Sequence, residues 1–201
     1  MARYLVCITG ASGAIYGIRL LRALSLPGHG TAVHDLYLVA SDWGERVIAM
    51  ETGKSLEAWI RELQLLGGSR ITRFESGDFS APVSSGSFRL DGTLICPCSM
   101  GTVGSLASGT SSTLVHRAGS VALKEGWPLI IVPRESPVSV IDLKNMTRLA
   151  EAGASLMPAS PGFYQKSESI TELVDGFISR ILDRLGARNP LSKPWMGSPR
   201  E

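Results

Sequence analysis

The stretch YLVCITGASGAIYGIRLLR, residues 4–22, decides the fold. It opens with an apolar run at 4–8, breaks at TGASGA (9–14) and continues with apolar residues at helical spacing. This order predicts a strand, a tight glycine-rich turn and the start of a helix. Such a turn leaves backbone N–H groups unpaired at a helix N-terminus, where the helix dipole favours negative charge. The turn is therefore a candidate anion site.

The glycines of this turn match neither of the common phosphate-binding patterns. They lie at positions 10, 13 and 17, which is neither G-x-G-x-x-G nor G-x-x-x-x-G-K-[ST]. Two interpretations stay open at this point: a turn that binds an anion, and a tight strand-to-helix turn with no ligand.

Size and composition favour one domain with one core. The chain has 201 residues, 44% of them hydrophobic, a net charge of +2 and a pI near 8.5. No run of basic residues could follow a nucleic acid backbone, so we expect no nucleic acid partner. Three cysteines argue against a disulfide framework. The apolar run at 4–8 is too short for a secretory or membrane-spanning segment, so we expect a cytoplasmic protein without a membrane partner.

Short apolar runs alternate with helical patterns along the chain. The predicted strands are 4–8, 33–40, 71–74, 93–97, 129–132 and 155–157, with mostly loop elsewhere between 67 and 89. The predicted helices are 14–24, 42–50, 55–65, 113–124, 142–153 and 169–185, with a further helix start at 98–102. This alternation predicts an α/β fold, a single-domain doubly wound parallel sheet with helices on both faces. Residues 1–185 form the domain, and the Pro-rich 186–201 form a tail.

Several helix starts carry capping signals. Asp42 with Glu45 three residues later resembles a capping box, Asp142 is a candidate cap, and Ser169 with Glu172 forms a capping box. Ser55 is a candidate N-cap of the helix that follows it.

Ligands of doubly wound folds collect at the carboxyl ends of the strands. The residues predicted to lie at that edge are hydroxyl-bearing, small or charged: Ser12, Ser41, Ser99 to Thr102, Arg134 and Glu135.

Other kinds of chemistry find little support. The three histidines at 29, 34 and 116 lack partners at ligand spacing, so we expect no metal site. Cys96 and Cys98 are interpreted as small buried side chains, because no further thiols pair with them. The segment at 10–14 lacks the final glycine of a G-x-S-x-G elbow, which argues against a serine hydrolase.

The remaining candidates are cationic or carry a hydroxyl group. Arg117 and Lys124 lie seven residues apart, about two helical turns, so their side chains leave one face of the helix. Arg134, Tyr164 and Arg180 complete the group. Solvated surface charge is the alternative interpretation for each cation. Together with a backbone anion site they suit a ligand with phosphates.

An ordered set of motifs resembles the UbiX/Pad family of flavin prenyltransferases over nearly the whole chain. The motifs are GASGAIYG (10–17), MET (50–52), SGS (85–87), CPCS (96–99), RA (117–118), VALKE (121–125), PL (128–129), VPRE (132–135), PGFY (161–164) and Trp195. The resemblance implies a Rossmann-like flavoprotein fold. It also implies an enzyme that joins a dimethylallyl group from dimethylallyl phosphate to N5 and C6 of reduced FMN.

The resemblance assigns roles to individual positions. It implies FMN binding by Gly10, Ala11, Ser12, Ser41, Ser99, Met100, Gly101, Thr102 and Arg134. It implies binding of dimethylallyl phosphate by Ser87, Arg117, Lys124, Tyr164 and Arg180. Ser12, Glu51 and Glu135 match the catalytic positions, with Glu135 suited to proton transfer and Glu51 and Ser12 to a relay.

The resemblance also implies partners. The prenylated FMN would pass to a UbiD-type decarboxylase, a link reflected in the family's connection with ubiquinone biosynthesis. Family members are dodecamers with active sites between subunits, so we expect a homo-oligomer whose tail packs on a neighbouring subunit. No metal is implied.

Three other functions stay open. The related FMN-dependent cysteine decarboxylases share the fold, but they use a catalytic histidine and a P-x-M-N-x-x-M segment. Here the Asn145-Met146 pair follows Leu143-Lys144 and lacks that context. Direct decarboxylation of aromatic acids finds no acid-binding constellation of its own. A non-catalytic flavin-binding partner would need one phosphate site rather than two.

Overall fold

A computed structural model describes residues 2–26, 34–66, 69–164, 166–187 and 189–191. Within these ranges, six parallel strands form one sheet in the order β3-β2-β1-β4-β5-β6. The strands are β1 (Arg3–Ile8), β2 (Asp35–Ala40), β3 (Arg70–Phe74), β4 (Gly92–Cys98), β5 (Leu129–Pro133) and β6 (Ser155–Leu156). The order reverses between β1 and β4, which is the switch point where doubly wound sheets bind ligands. The predicted fold class is confirmed.

Helices cover both faces of the sheet. They are α1 (Ala14–Ser25), α2 (Asp42–Thr52), α3 (Leu56–Gln64), α4 (Met100–Ala107), α5 (Leu114–Glu125), α6 (Val140–Glu151) and α7 (Ile170–Leu185), with a short 3₁₀ turn at Pro82–Ser84. One core cluster joins alternate strand residues to α1, α2, α3 and α7, and a second joins the other residues to α4, α5 and α6. Because both faces are covered, the central strands β1, β4 and β5 are largely apolar and buried, whereas the edge strand β3 has the sequence RITRF and is partly exposed.

Three capping predictions are corrected, two in the residue that caps the helix and one in a single hydrogen bond. Ser41, not Asp42, caps α2, since its Oγ accepts from the backbone N–H of Gly44. The helix predicted from Asp142 begins at Val140, because Ser139 caps it and Asp142 is the reciprocal residue of that box. The cap at Ser169 is confirmed, but the Glu172 carboxylate accepts from the N–H of Glu168 rather than closing the box.

The other boundaries are confirmed to within a few residues. Ser55 caps α3 as predicted, and the helix start at 98–102 continues as α4. Residue 33, the predicted turn at 27–30, and the tail from 192 onward lie outside the described residues. Among the helices described, none combines the length and apolarity that a membrane crossing requires.

Candidate functional site at the carboxyl edge of the sheet

The loops that carry the predicted ligand residues are tied together at the carboxyl edge. Ile8 pairs with Ala40, and Cys98 with Pro133, so the residues that follow these strands share one edge. The N–H of Ser41 donates to the Ile8 carbonyl (3.0 Å), and the N–H of Ser99 donates to Thr9 Oγ1 (2.8 Å). Four predicted segments, at 10–12, 41, 99–102 and 134, are therefore brought together.

The α1 N-terminus does bind an anion, but the anion belongs to the protein. The N–H of Gly13 donates to both carboxylate oxygens of Glu51 at 2.9 and 3.1 Å, and the N–H of Ala14 donates to Oε2 at 2.8 Å. The expectation of unpaired N–H groups at this turn is thus corrected for Gly13 and Ala14. Glu51 lies near the end of α2, 38 residues after Gly13, so no local sequence pattern reveals this cap.

The turn before α1 approaches the backbone of α2 closely. A Cβ atom on Gly10 would lie 2.7 Å from Cβ of Trp43, so a larger residue would displace α2. Gly13 has a positive φ of 100°, which glycine adopts without strain. Ser12 is exposed on this turn. Glycine at position 10 thus permits close packing against α2, and glycine at position 13 permits the turn into α1.

The N-termini of α2 and α4 differ in charge. The first turn of α2 contains Asp42 and Glu45, whereas the first turn of α4 contains no acidic residue. Ser99 caps α4, accepting from the N–H of Thr102 at 3.4 Å, and no atom lies within 4 Å of a Cβ placed on Gly101. Because acidic side chains repel a phosphate and helix N–H groups attract it, α4 is the better phosphate site of the two.

A cavity of about 300 Å³ opens beside this edge. Its lining residues come from α7 and from the loop after β6: Met157, Ser160, Gly162, Tyr164, Gly176, Phe177 and Arg180. Tyr164 and Arg180, the predicted phosphate ligands, therefore lie together. The Arg180 side chain is largely exposed, with Asp183 at 3.6 Å.

Tyr16 packs against a residue of the cavity wall. Its ring packs edge-on against Phe177, with ring centroids 5.3 Å apart. Burial raises the pKa of the Tyr16 phenol, the Cys96 thiol group adds to the rise, and the Arg134 guanidinium lowers it in part. Phe177 belongs to the apolar stripe of α7 and Tyr16 to the motif at 10–17, and neither pattern indicates that the two rings meet beside the cavity.

The other predicted cations lie on the opposite face of the sheet. Arg117 Nε donates to the Ser84 carbonyl at 2.9 Å, and Lys124 Nζ lies 2.6 Å from Glu125 Oε1 and next to Gly86. Ser87 shares this loop. Both side chains leave one face of α5, as predicted, but α5 belongs to the second core cluster and α7 to the first. One chain does not bring Arg117 and Lys124 together with Arg180.

The acidic and sulfur-containing groups complete the description. Glu135 is exposed next to Arg134, and its Oε1 accepts from the N–H of Ser136 at 2.9 Å.

Cys7, Cys96 and Cys98 are buried free thiols, as predicted for the latter two. Across the described ranges, no three histidine, cysteine or acidic side chains lie close enough to hold a metal ion.

Comparison with known proteins identifies the class. The flavoprotein family model matches residues 1–182, so the chain belongs to the flavoprotein family. Flavin prenyltransferase UbiX of Thermoplasma acidophilum is 47% identical over 193 residues, covering 96% of this chain and 99% of the relative. Within the family, the chain thus belongs with the UbiX flavin prenyltransferases.

Two solved structures share this fold along nearly their full length. AnUbiX in complex with FMN and dimethylallyl pyrophosphate has a TM-score of 0.88 and 38% identity, covering 98% of both chains. A dodecameric FMN-dependent UbiX-like decarboxylase from Escherichia coli O157:H7 has a TM-score of 0.86 and 37% identity, covering 97% of this chain and 100% of the other. The sequence-based assignment to this family is confirmed.

Proposed function

We propose that this protein is a flavin prenyltransferase that joins a dimethylallyl group to N5 and C6 of reduced FMN. The observation that carries the proposal is the 47% identity with a UbiX flavin prenyltransferase over almost the entire chain. The carboxyl edge supports it, because it combines a helix N-terminus without acidic residues at α4 with a separate cavity at α7 that Arg180 and Tyr164 line. A reaction between two phosphate-bearing substrates needs two such places.

The residues at the edge suit FMN. We assign its binding to the turn at 10–12, Ser41, the segment 99–102 and Arg134, with the phosphate at the α4 N-terminus. The open space over Gly101 and the missing acidic residues in that turn favour a dianion there. Reduced FMN supplies the nucleophilic ring atoms and an aromatic face for the allyl group.

The cavity suits the phosphate of the prenyl donor. Arg180 and the Tyr164 hydroxyl bind this phosphate and stabilise the charge that builds up as the allylic C–O bond breaks. The bond electrons leave with the phosphate, so fixed donors at this end lower the barrier. The relative AnUbiX was solved with dimethylallyl pyrophosphate, and we propose the monophosphate as the donor here.

A neighbouring subunit completes the cation set. Ser87, Arg117 and Lys124 lie on the opposite face from Arg180, so we propose that they reach the prenyl phosphate of an adjacent chain. The dodecameric relative supports such an assembly, and we propose a dodecamer with the tail packed on a neighbour. The exposed Val138, Val140 and Ile141 lie just after Arg134 and Glu135, where a second chain would bury them.

The acids have different tasks. Glu135 is exposed at the site and carries a proton during ring closure at C6. The side chain of Glu51 is held in place because its oxygens accept from the N–H groups of Gly13 and Ala14, and with Ser12 it forms the relay beside the flavin. We further propose that the product serves a UbiD-type decarboxylase and that the enzyme works in the cytoplasm.

The decisive experiment is anaerobic incubation of the protein with reduced FMN and dimethylallyl phosphate, followed by mass analysis of the extracted flavin. We expect a gain of one prenyl unit, and parallel reactions with the pyrophosphate compare the two donors. An unchanged flavin on a protein that binds FMN would reject the proposal in favour of a decarboxylase or a flavin-binding partner.

A double variant, Tyr164→Phe with Arg180→Ala, tests the cavity. It should keep FMN and lose prenyl transfer. Arg184→Ala is the matched control, because Arg184 lies one turn further along α7 and donates to Ser155 Oγ (2.9 Å) outside the cavity lining. Loss of FMN from the double variant would contradict the assignment of Tyr164 and Arg180.

A further inference from the structure

An ion pair joins α1 to the part of α7 that lines the cavity. Arg19 Nε donates to Asp175 Oδ1 at 2.6 Å, and Arg19 NH2 donates to Asp175 Oδ2 at 2.5 Å. The two side chains are only 21% and 19% exposed. A partly buried guanidinium that makes two hydrogen bonds to one carboxylate fixes both the distance and the angle between the two helices. An exposed ion pair with one contact does not fix the angle.

The Arg19–Asp175 pair lies next to residues that line the cavity. Asp175 immediately precedes Gly176 and Phe177, which line the cavity together with Arg180. On the other helix, Tyr16 lies one turn before Arg19 and packs edge-on against Phe177. The wall of the cavity that α7 provides therefore packs on α1 through the shared apolar core, and the ion pair and the ring contact add two directional contacts between the same helices.

We propose that Arg19 and Asp175 form a positioning pair that places the α7 wall, and with it Arg180, for binding of the prenyl phosphate. The proposal rests on the proposed function. Within the described ranges, Asp183 at 3.6 Å is the polar partner of the Arg180 guanidinium, and the Arg180 side chain is 69% exposed. Its location is therefore set by the placement of the helix, so a shift of α7 moves the cation away from the phosphate.

A second ion cluster provides a matched control. Arg73 is 19% exposed and binds Glu45, Glu57 and Glu75, tying β3 to α2 and α3. It resembles Arg19 in burial and in its carboxylate partners, but none of these residues lines the cavity. Loss of either cluster should lower stability, and only loss of the Arg19–Asp175 pair should weaken donor binding.

The test is equilibrium binding of dimethylallyl phosphate to the full-length protein with oxidised FMN bound, so that no turnover occurs. For Asp175→Asn we expect the Kd of dimethylallyl phosphate to rise about tenfold, since small misplacements of a binding group are costly. The Kd of FMN should change less than about threefold. Asp175→Glu keeps the charge pair and should restore donor binding to within about threefold of wild type. Arg73→Gln should lower the melting temperature without changing the Kd of dimethylallyl phosphate.

The proposal would be overturned if Asp175→Asn left the Kd of dimethylallyl phosphate unchanged, which is the result expected for the control Arg73→Gln. If Asp175→Asn does not fold, Arg19→Lys replaces it, because lysine keeps the charge but not the two-bond geometry. A wild-type Kd in that variant overturns the proposal, and a raised one supports it. Prenyl transfer by the wild type, measured in parallel, reports on the proposed function alone.

Discussion

A single residue, Glu51, caps the N-terminus of α1, because its carboxylate accepts hydrogen bonds from the N–H groups of Gly13 and Ala14. Glu51→Ala would leave both groups to water, and we expect it to lower the free energy of unfolding by about 1 kcal/mol, the usual cost of losing a helix cap. Glu51→Gln keeps one acceptor oxygen and should lose less. Urea denaturation of the variants measures both differences.

Glu151→Ala is the control for this prediction. Glu151 is an exposed acid at the end of α6, and its removal should change the free energy of unfolding by less than about 0.5 kcal/mol. Equal stability of Glu51→Ala and Glu151→Ala would mean that the cap contributes nothing measurable.

The buried thiols give a second prediction at this scale. Burial raises the pKa of Cys7 from 9.0 to about 12, and it raises the pKa of Cys96 and Cys98 as well. The native thiols should therefore not react with a disulfide reagent at pH 8, whereas all three should react in denaturant. The unfolded chain ionises its thiols near pH 9, so their contribution to stability is complete below that pH and is lost as the pH rises towards 12. Rapid labelling of the native protein would contradict the burial of these groups.

Between secondary-structure elements, Gly17 allows α1 to pack closely on the sheet. A Cβ atom there would lie 2.5 Å from the Cys96 carbonyl oxygen and 2.8 Å from Ile8 Cδ1. Gly17→Ala should thus lower the free energy of unfolding by about 2 kcal/mol, because neither the backbone of β4 nor the buried Ile8 can move away freely.

Gly104→Ala is the matched control within a helix. The nearest atom to a Cβ on Gly104 is Asn145 Nδ2 at 3.5 Å, an ordinary contact. Alanine has the higher helix propensity, so this substitution should be neutral or stabilise the protein by up to about 1 kcal/mol. Chemical denaturation compares the two variants, and similar stability changes would show that α1 is not packed as tightly as described.

Elements were predictable from sequence where the signal is local. The apolar strand at 4–8 and the capping serine at 55 depend on neighbours a few residues away, and both are confirmed. Glu51 and Gly13 lie 38 residues apart, so no spacing rule reveals their bond. The contact between Tyr16 and Phe177 is hidden for a related reason, since it joins two helices far apart in the chain and helical periodicity does not show which helices pack together.

In the whole molecule, the sheet separates the predicted phosphate-binding cations into two groups, one on each face. Arg180 lies on the α7 face, and Arg117 and Lys124 lie on the α5 face. Local spacing predicted correctly that the α5 pair shares a helix face. It could not predict that the sheet separates this pair from Arg180, because chain topology decides that.

Mixing of inactive subunits tests whether these groups meet between chains. Arg117→Ala and Arg180→Ala should each lose most prenyl transfer, because each removes one side of the phosphate site. If the site forms between two subunits, random reassembly of equal amounts of the two variants leaves about a quarter of the sites with both arginines. We therefore expect activity to return to about a quarter of the wild-type value after dissociation and reassembly together. Each variant reassembled alone is the control and should stay inactive, since every one of its sites lacks an arginine. Failure of the mixture to regain activity, with mixed oligomers present by native mass spectrometry, would mean that Arg117 and Arg180 do not serve one site.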